Sequence, residues 1–192
     1  MRVLIAEDET IIRLDVRTLL ERAGHEVVAE ARDGEEAVAL AAEHEPDLVV
    51  MDVRMPHMDG IDAARAITEH RPVPIVMLTA YAEQDLVARA ADAGAFAYLV
   101  KPFREADLLP ALATARARFD ELTALRDEAA DLAEALATRK AVERAKGILM
   151  RQEGVDEAEA FRRIRAASQK TGRTMRVVAE ALIAALDDGG AA

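Results

Sequence analysis

No cysteine occurs in the 192 residues, which excludes a disulfide framework and a thiolate metal site and gives no sign of an oxidising compartment. Aromatic side chains make up only 3% of the chain, so any core has to be built from Leu, Val, Ile, Met and many Ala. Hydrophobic residues at 52% are enough for a globular core and exclude a disordered chain. No stretch approaches the roughly 18 uncharged apolar residues of a membrane span. The opening MRVLIAEDE has carboxylates where a signal peptide would have its apolar region, so a cytoplasmic location is expected, with no membrane partner. Proline is absent after Pro110, and Gly147, Gly154 and Gly172 are the only glycines after it before Gly189-Gly190, so the second half reads as nearly all helix.

The length fits one full domain and one small one, since domains hold on the order of 100 to 150 residues. A net charge of -11 hides an uneven distribution. Residues 1–120 carry 13 basic and 23 acidic side chains, residues 121–138 carry 1 and 5, and residues 139–186 carry 11 and 6. An acidic chain thus ends in a basic stretch, which is either a solvated helix face or a surface for an anionic partner.

Short runs rich in Val, Ile and Leu recur at Val3 to Ala6, Val27 to Ala29, Leu48 to Met51, Ile75 to Leu78 and Ala97 to Val100, with longer amphipathic stretches between them. Glycine, proline and aspartate punctuate the joints, as at Asp33-Gly34, Pro46-Asp47 and Asp59-Gly60. The rhythm predicts an α/β fold over residues 1–120, a five-stranded, doubly wound parallel sheet with five helices. Beyond it, Leu122, Leu125, Ala129, Leu132 and Leu136 follow the 3, 4, 3, 4 spacing of a coiled-coil seam, so residues 121–138 read as a linker helix. The seam covers only about two heptads, and it serves either a dimer or packing on its own chain. Apolar blocks at Val142 to Leu149, Ala160 to Ala167 and Met175 to Ile183 predict a small three-helix bundle over residues 139–187, parted at Gly154-Val155 and Thr171-Gly172-Arg173.

Ligands of an open parallel sheet gather at the carboxyl ends of its strands. There the first strand leads into Glu7-Asp8-Glu9, the third ends at Asp52, the fourth at Thr79 and the fifth at Lys101. Clustered carboxylates repel one another, and a hard cation such as Mg²⁺ relieves that repulsion. Asp52 is then a metal ligand and a candidate nucleophile for an acyl phosphate, with Lys101 and Thr79 as charge-neutralising donors. The strings VLIAEDE, VVMDVRMPHMDG, VMLTA and AYLVKPF resemble, in order and spacing, the signature segments of the receiver domains of two-component response regulators, a flavodoxin-like fold. The resemblance implies that Asp52 is the phosphoacceptor, served by a sensor histidine kinase. It implies that Asp8, Asp52 and the Arg54 carbonyl hold Mg²⁺ while Glu7 acts through a metal-bound water. It also implies that Thr79 and Tyr98 form a switch pair, that Lys101 contacts the phosphoryl group, and that the Lys101-Pro102 bond is cis.

The segments VERAKGILM, AFRRIRAAS and TMRVVAEALI resemble an ANTAR domain, an RNA-binding antitermination module. The order receiver, short coiled coil, ANTAR is similar to that of phosphorylation-dependent transcription antitermination regulators, which implies an RNA target of paired hexaloop hairpins and a homodimer formed on phosphorylation. RNA-facing candidates are Arg139, Arg144, Lys146, Gly147, Arg165, Ser168, Lys170, Arg173 and Thr174, with Lys146 and Arg173 foremost. The alternatives are that Gly147 only relieves helix crowding and that the arginines pair with Glu143, Glu157 and Glu159. Phe161 falls on the apolar stripe, so base stacking is not expected to lead. A phosphorylation-controlled DNA-binding helix-turn-helix and a protein-interaction module are the rival outputs, though the helix from Thr174 offers bases only Arg176 and Glu180. An enzymatic output is not expected, since all four His precede position 71 and no nucleophile-base pair is evident.

Overall fold

The computed structural model describes residues 1–80 and 95–187. They divide at Thr123 and Ala124 into two compact units. In the first unit the strands are β1 (Arg2–Ala6), β2 (Glu26–Ala31), β3 (Leu48–Asp52), β4 (Ile75–Thr79) and β5 (Ala95–Val100), with helices α1 (Thr10–Arg22), α2 (Gly34–His44) and α3 (Gly60–His70) between them. The helix expected between β4 and β5 lies outside the described residues. The next helix, α4 (Glu105–Glu153), runs for 49 residues, so the linker and the bundle's first helix are one uninterrupted element.

All five strands are parallel, in the order β2-β1-β3-β4-β5. Every residue of β3 and β4 is buried, as a sheet covered on both faces requires. Alternate side chains build two cores. Leu4, Val49, Met51, Ile75 and Met77 meet Ala37 and Ala41 of α2 and Ile61, Ala64 and Ile67 of α3. Val3, Ile5, Leu48, Val50, Val76 and Leu78 meet Val16 and Leu20 of α1 and Leu108, Leu112 and Ala115 of α4. The helix after β1 and the helix after β3 therefore lie on opposite faces, and a crevice opens between the ends of those neighbouring strands.

In the second unit α4 is followed by α5 (Glu157–Thr171) and α6 (Met175–Asp187). Val142, Ala145, Leu149, Ala160, Ile164, Val178 and Ala179 form its core. Asp156 caps α5 by accepting a hydrogen bond from the Glu159 N–H at 2.7 Å, and Gly172 ends it with φ 67°. Phe161 departs from expectation. It is 40% exposed, because the inward stripe of α5 runs through Ala160, Ile164 and Ala167 and leaves position 161 on the rim. Along α4, Leu125, Leu132 and Leu136 are more than half exposed. Among the described residues no helix is long and apolar enough to cross a membrane.

The tightest joint in the first unit is where α3 begins. Gly60 donates its N–H to the Val53 carbonyl at 2.9 Å, and a Cβ at position 60 would stand 1.9 Å from the Asp52 carbonyl oxygen. Only glycine allows that approach. Gly60→Ala is expected to destabilise the first unit by roughly 3 kcal/mol or more, since neither backbone can yield without breaking the sheet. A chemical-denaturation midpoint equal to wild type would refute this.

Candidate functional site

Four strand ends deliver one constellation. Glu7 follows β1, Asp52 closes β3, Thr79 closes β4 and Lys101 follows β5. Glu7, Asp52 and Thr79 are buried, whereas Asp8 is exposed. One carboxylate oxygen from each of Glu7, Asp8 and Asp52 lies within 4.8 Å of the others. The Lys101 ammonium stands 2.7 Å from Glu7 Oε2 and 3.1 Å from Asp52 Oδ1, and the Lys101 N–H donates to the Thr79 carbonyl at 2.7 Å. The Lys101-Pro102 bond is cis. Beyond its short ion pair with Lys101, the buried Glu7 Oε2 has no hydrogen-bond partner and keeps acceptor capacity.

Charge in this crevice is frustrated. Burial raises Glu7 above the ordinary carboxylate range, Lys101 pulls it back, and Asp52 raises it further. Burial likewise raises Asp52, against the opposing attraction of Lys101. Burial alone would lower Lys101, but the contact with Glu7 and the fields of both acids raise it on balance. Three hard oxygen donors with one acceptor atom unspent fit a Mg²⁺ ion, which Glu7, Asp8 and Asp52 would hold. Arg54 is exposed in the loop two residues past Asp52. Tyr98 is 52% exposed on β5, paired in register with Met77 and two residues before the partner of Thr79.

One contributor escaped the sequence reading. Arg13 is buried on α1, where it shares the inward stripe with Val16 and Leu20. Its Nη1 donates to the Glu7 carbonyl at 2.6 Å, and its Nε pairs with Glu30 at 3.3 Å. It thereby fixes the acidic loop. An arginine at helical spacing with core residues is the signal that could have revealed it.

In the second unit the cations divide into two groups. Lys146 is buried between α4 and α5, where it donates to Glu143 Oε1 at 2.8 Å and Glu157 Oε1 at 2.7 Å. Those hydrogen bonds raise its pKa, Glu143 most, and the same contact lowers that of Glu157. Arg162 and Arg163 bond Glu159, and Arg176 bonds Glu180 and Glu134. Arg139, Lys140, Arg151, Arg165, Lys170 and Arg173 are exposed, and their side chains show no carboxylate partner among the described residues. Arg144 is exposed too. Ser168 Oγ donates to the Arg173 carbonyl at 2.6 Å, and Thr174 Oγ1 accepts from the Val177 N–H at 3.4 Å, so both hydroxyls serve the turn into α6. The structure therefore does not bring Lys146 and Arg173 together as one exposed pair.

Comparison with known proteins covers both units. Residues 3–113 match the response regulator receiver domain, and residues 130–183 match the ANTAR domain. Over 185 residues, 96% of this chain and 90% of the relative, the sequence is 55% identical to the transcriptional regulatory protein PdtaR of Mycobacterium tuberculosis. The chemotaxis protein CheY of Bacillus subtilis is 42% identical over 112 residues, 58% of this chain and 93% of that protein. Among solved structures, the receiver domain of NarL from Mycobacterium tuberculosis superposes with a TM-score of 0.58 at 31% identity, covering 60% of this chain and 95% of that one. CheY of Borrelia burgdorferi, in a complex with CheX, BeF3 and magnesium, superposes with a TM-score of 0.57 at 30% identity, covering 58% of this chain and 86% of that one.

The raised carboxylates set a sign for the metal-free protein. Because folded Glu7 and Asp52 hold their protons more tightly than the unfolded chain does, their contribution to stability is full below the unfolded carboxylate range and is lost as pH rises through the raised folded values. Asp52→Asn, lacking one of these charges, is therefore expected to melt higher than wild type at neutral pH without Mg²⁺, with the gap closing on acidification. Added Mg²⁺ is expected to raise the melting temperature of wild type and to do so far less for Asp8→Ala. Equal Mg²⁺ responses in calorimetry would remove these carboxylates as the cation site.

Proposed function

Because this chain belongs to the response regulators, with a receiver domain followed by an ANTAR domain, we propose that it takes a phosphoryl group from a sensor histidine kinase onto Asp52 and in response binds hairpin-loop RNA, preventing transcription termination. The convergence of Glu7, Asp8, Asp52 and Lys101 in one crevice is the observation that carries this reading. In the transfer, an Asp52 carboxylate oxygen attacks phosphorus, the nitrogen–phosphorus bond of a phosphohistidine breaks, and imidazole leaves. Lys101 leaves its ion pairs to neutralise an equatorial phosphoryl oxygen, and Thr79 offers its hydroxyl to another. Mg²⁺, held by Asp8, Asp52 and the Arg54 carbonyl with Glu7 acting through a metal-bound water, would supply further charge neutralisation. As Thr79 turns inward, the space it leaves is filled by Tyr98, which now stands half in water.

For the output, Arg139, Arg165, Lys170 and Arg173 are offered to RNA because no carboxylate among the described residues holds them, while Arg144 is exposed on α4 and Gly147 lies half-buried one turn beyond it. Lys146 joins them only by exchanging Glu143 and Glu157 for RNA phosphate. Ser168 and Thr174 shape the turn that presents Arg173. The helix-turn-helix alternative loses support, since Arg176 and Glu180, the polar groups of the would-be recognition helix, bond each other at 2.8 Å.

Asp52→Asn is expected to abolish the acid-labile, hydroxylamine-sensitive phosphoryl label, and a persistent label would move the acceptor elsewhere. Phosphorylated wild type is expected to bind a paired-hexaloop RNA more tightly than loop-scrambled RNA or duplex DNA at equal salt. Equal weak binding to all three would instead favour a protein partner. The exposed leucines of α4 also support a dimer formed on phosphorylation. An unchanged sedimentation coefficient at micromolar concentration would exclude it.

A further inference from the structure

Gly147 lies inside α4, where a glycine weakens the helix relative to alanine. Close helix packing usually accounts for such a residue. It does not account for this one: a Cβ at position 147 would meet only Arg151 Nη1, at an ordinary 3.5 Å. The core contacts of this stretch are made by Val142, Ala145 and Leu149 instead. On the helix face of Gly147 stand Glu143, whose carboxylate is taken by Lys146 at 2.8 Å, and Arg144, and beyond them two further cations, Lys140, two turns before the glycine, and Arg151, one turn after. Both of these are exposed, and neither has a carboxylate partner among the described residues. Half-buried helix backbone that carries no side chain, flanked by these two cations, is a place for an anionic chain to lie close.

Resting on the RNA-binding reading above, we propose that this face of α4 seats the sugar–phosphate backbone of the bound RNA, with Lys140 and Arg151 taking phosphates and Gly147 letting the strand close on the helix. A second copy of the chain fits the face poorly. Across a two-fold axis it would set Lys140 and Arg151 against the same two cations of the other copy, and like charges in juxtaposition are unfavourable. Phosphates have the complementary sign, and they are contacted regardless of sequence.

The test measures anisotropy of the full-length phosphorylated protein with a paired-hexaloop RNA and a loop-scrambled RNA over a salt series. Lys140→Ala combined with Arg151→Ala is expected to weaken both RNAs on the order of tenfold and to reduce the salt slope by about 1.4, the release of two single-strand phosphate contacts. Arg162→Ala, whose guanidinium rests on Glu159, is expected to leave both unchanged. Gly147→Ala is expected to melt higher than wild type yet bind RNA more weakly, a split that a packing role could not produce. A wild-type salt slope in the double variant, or unaltered RNA affinity in Gly147→Ala, would overturn the proposal; in the latter case a changed dimer fraction would assign the glycine to a second copy. Failure of wild type itself to bind either RNA would sink the RNA-binding reading first, before any variant is compared.

Discussion

Like charge held out of water is the constraint on which the receiver unit turns. Parallel strands bring their carboxyl ends to one edge, and here that edge collects two buried acids, one exposed acid and one ammonium. Lys101 lies between Glu7 and Asp52 and partly offsets both, yet each acid still has a raised pKa. The site is therefore short of positive charge, which a cation would supply. Around it the scaffold is stiff. Arg13 holds the acidic loop through the Glu7 carbonyl, and Gly60 presses α3 against the backbone of Asp52. Groups that must not relax into better solvation are held by packing that leaves them no room.

The receiver half was largely legible because strand alternation and strand-end chemistry are local signals. Val3 and Ile5 go to one face and Leu4 to the other, as a period of two requires, and the polar residues closing those runs meet because topology puts them at one edge. Strand limits shifted only outward, for example at β2, which extends to Glu26–Ala31. Arg13 was not legible as a support, because pattern reading treats a charged residue as solvent-facing even when its helical phase is that of Val16 and Leu20. Phase held at that position, and the tertiary pairing with the Glu7 carbonyl and Glu30 is what lets a charge follow it inward.

In the output module the sequence revealed the three helices but not which cations were available. Lys146 stands in the motif that carries the family resemblance, yet its ammonium lies between two glutamates, one of them on another helix. The contact with Glu157 spans eleven positions, beyond any i, i+4 rule. Arg163 illustrates the same point, reaching back to Glu153 as well as Glu159. Spacing tells which residues share a face, while the partner across a turn depends on the fold. The basic charge of this region is thus divided between cations that brace the bundle and exposed cations that no carboxylate among the described residues holds.

Tyr98 brings an optical property with it. The chain has no tryptophan and only two tyrosines, so its ultraviolet emission comes from phenol rings alone, with no indole to drain the excitation. A phenol half in water on an edge strand and a phenol packed inside a crevice differ in quenching and in rotational freedom. Any inward turn of that ring would consequently be written into the lifetime and polarisation of the native light.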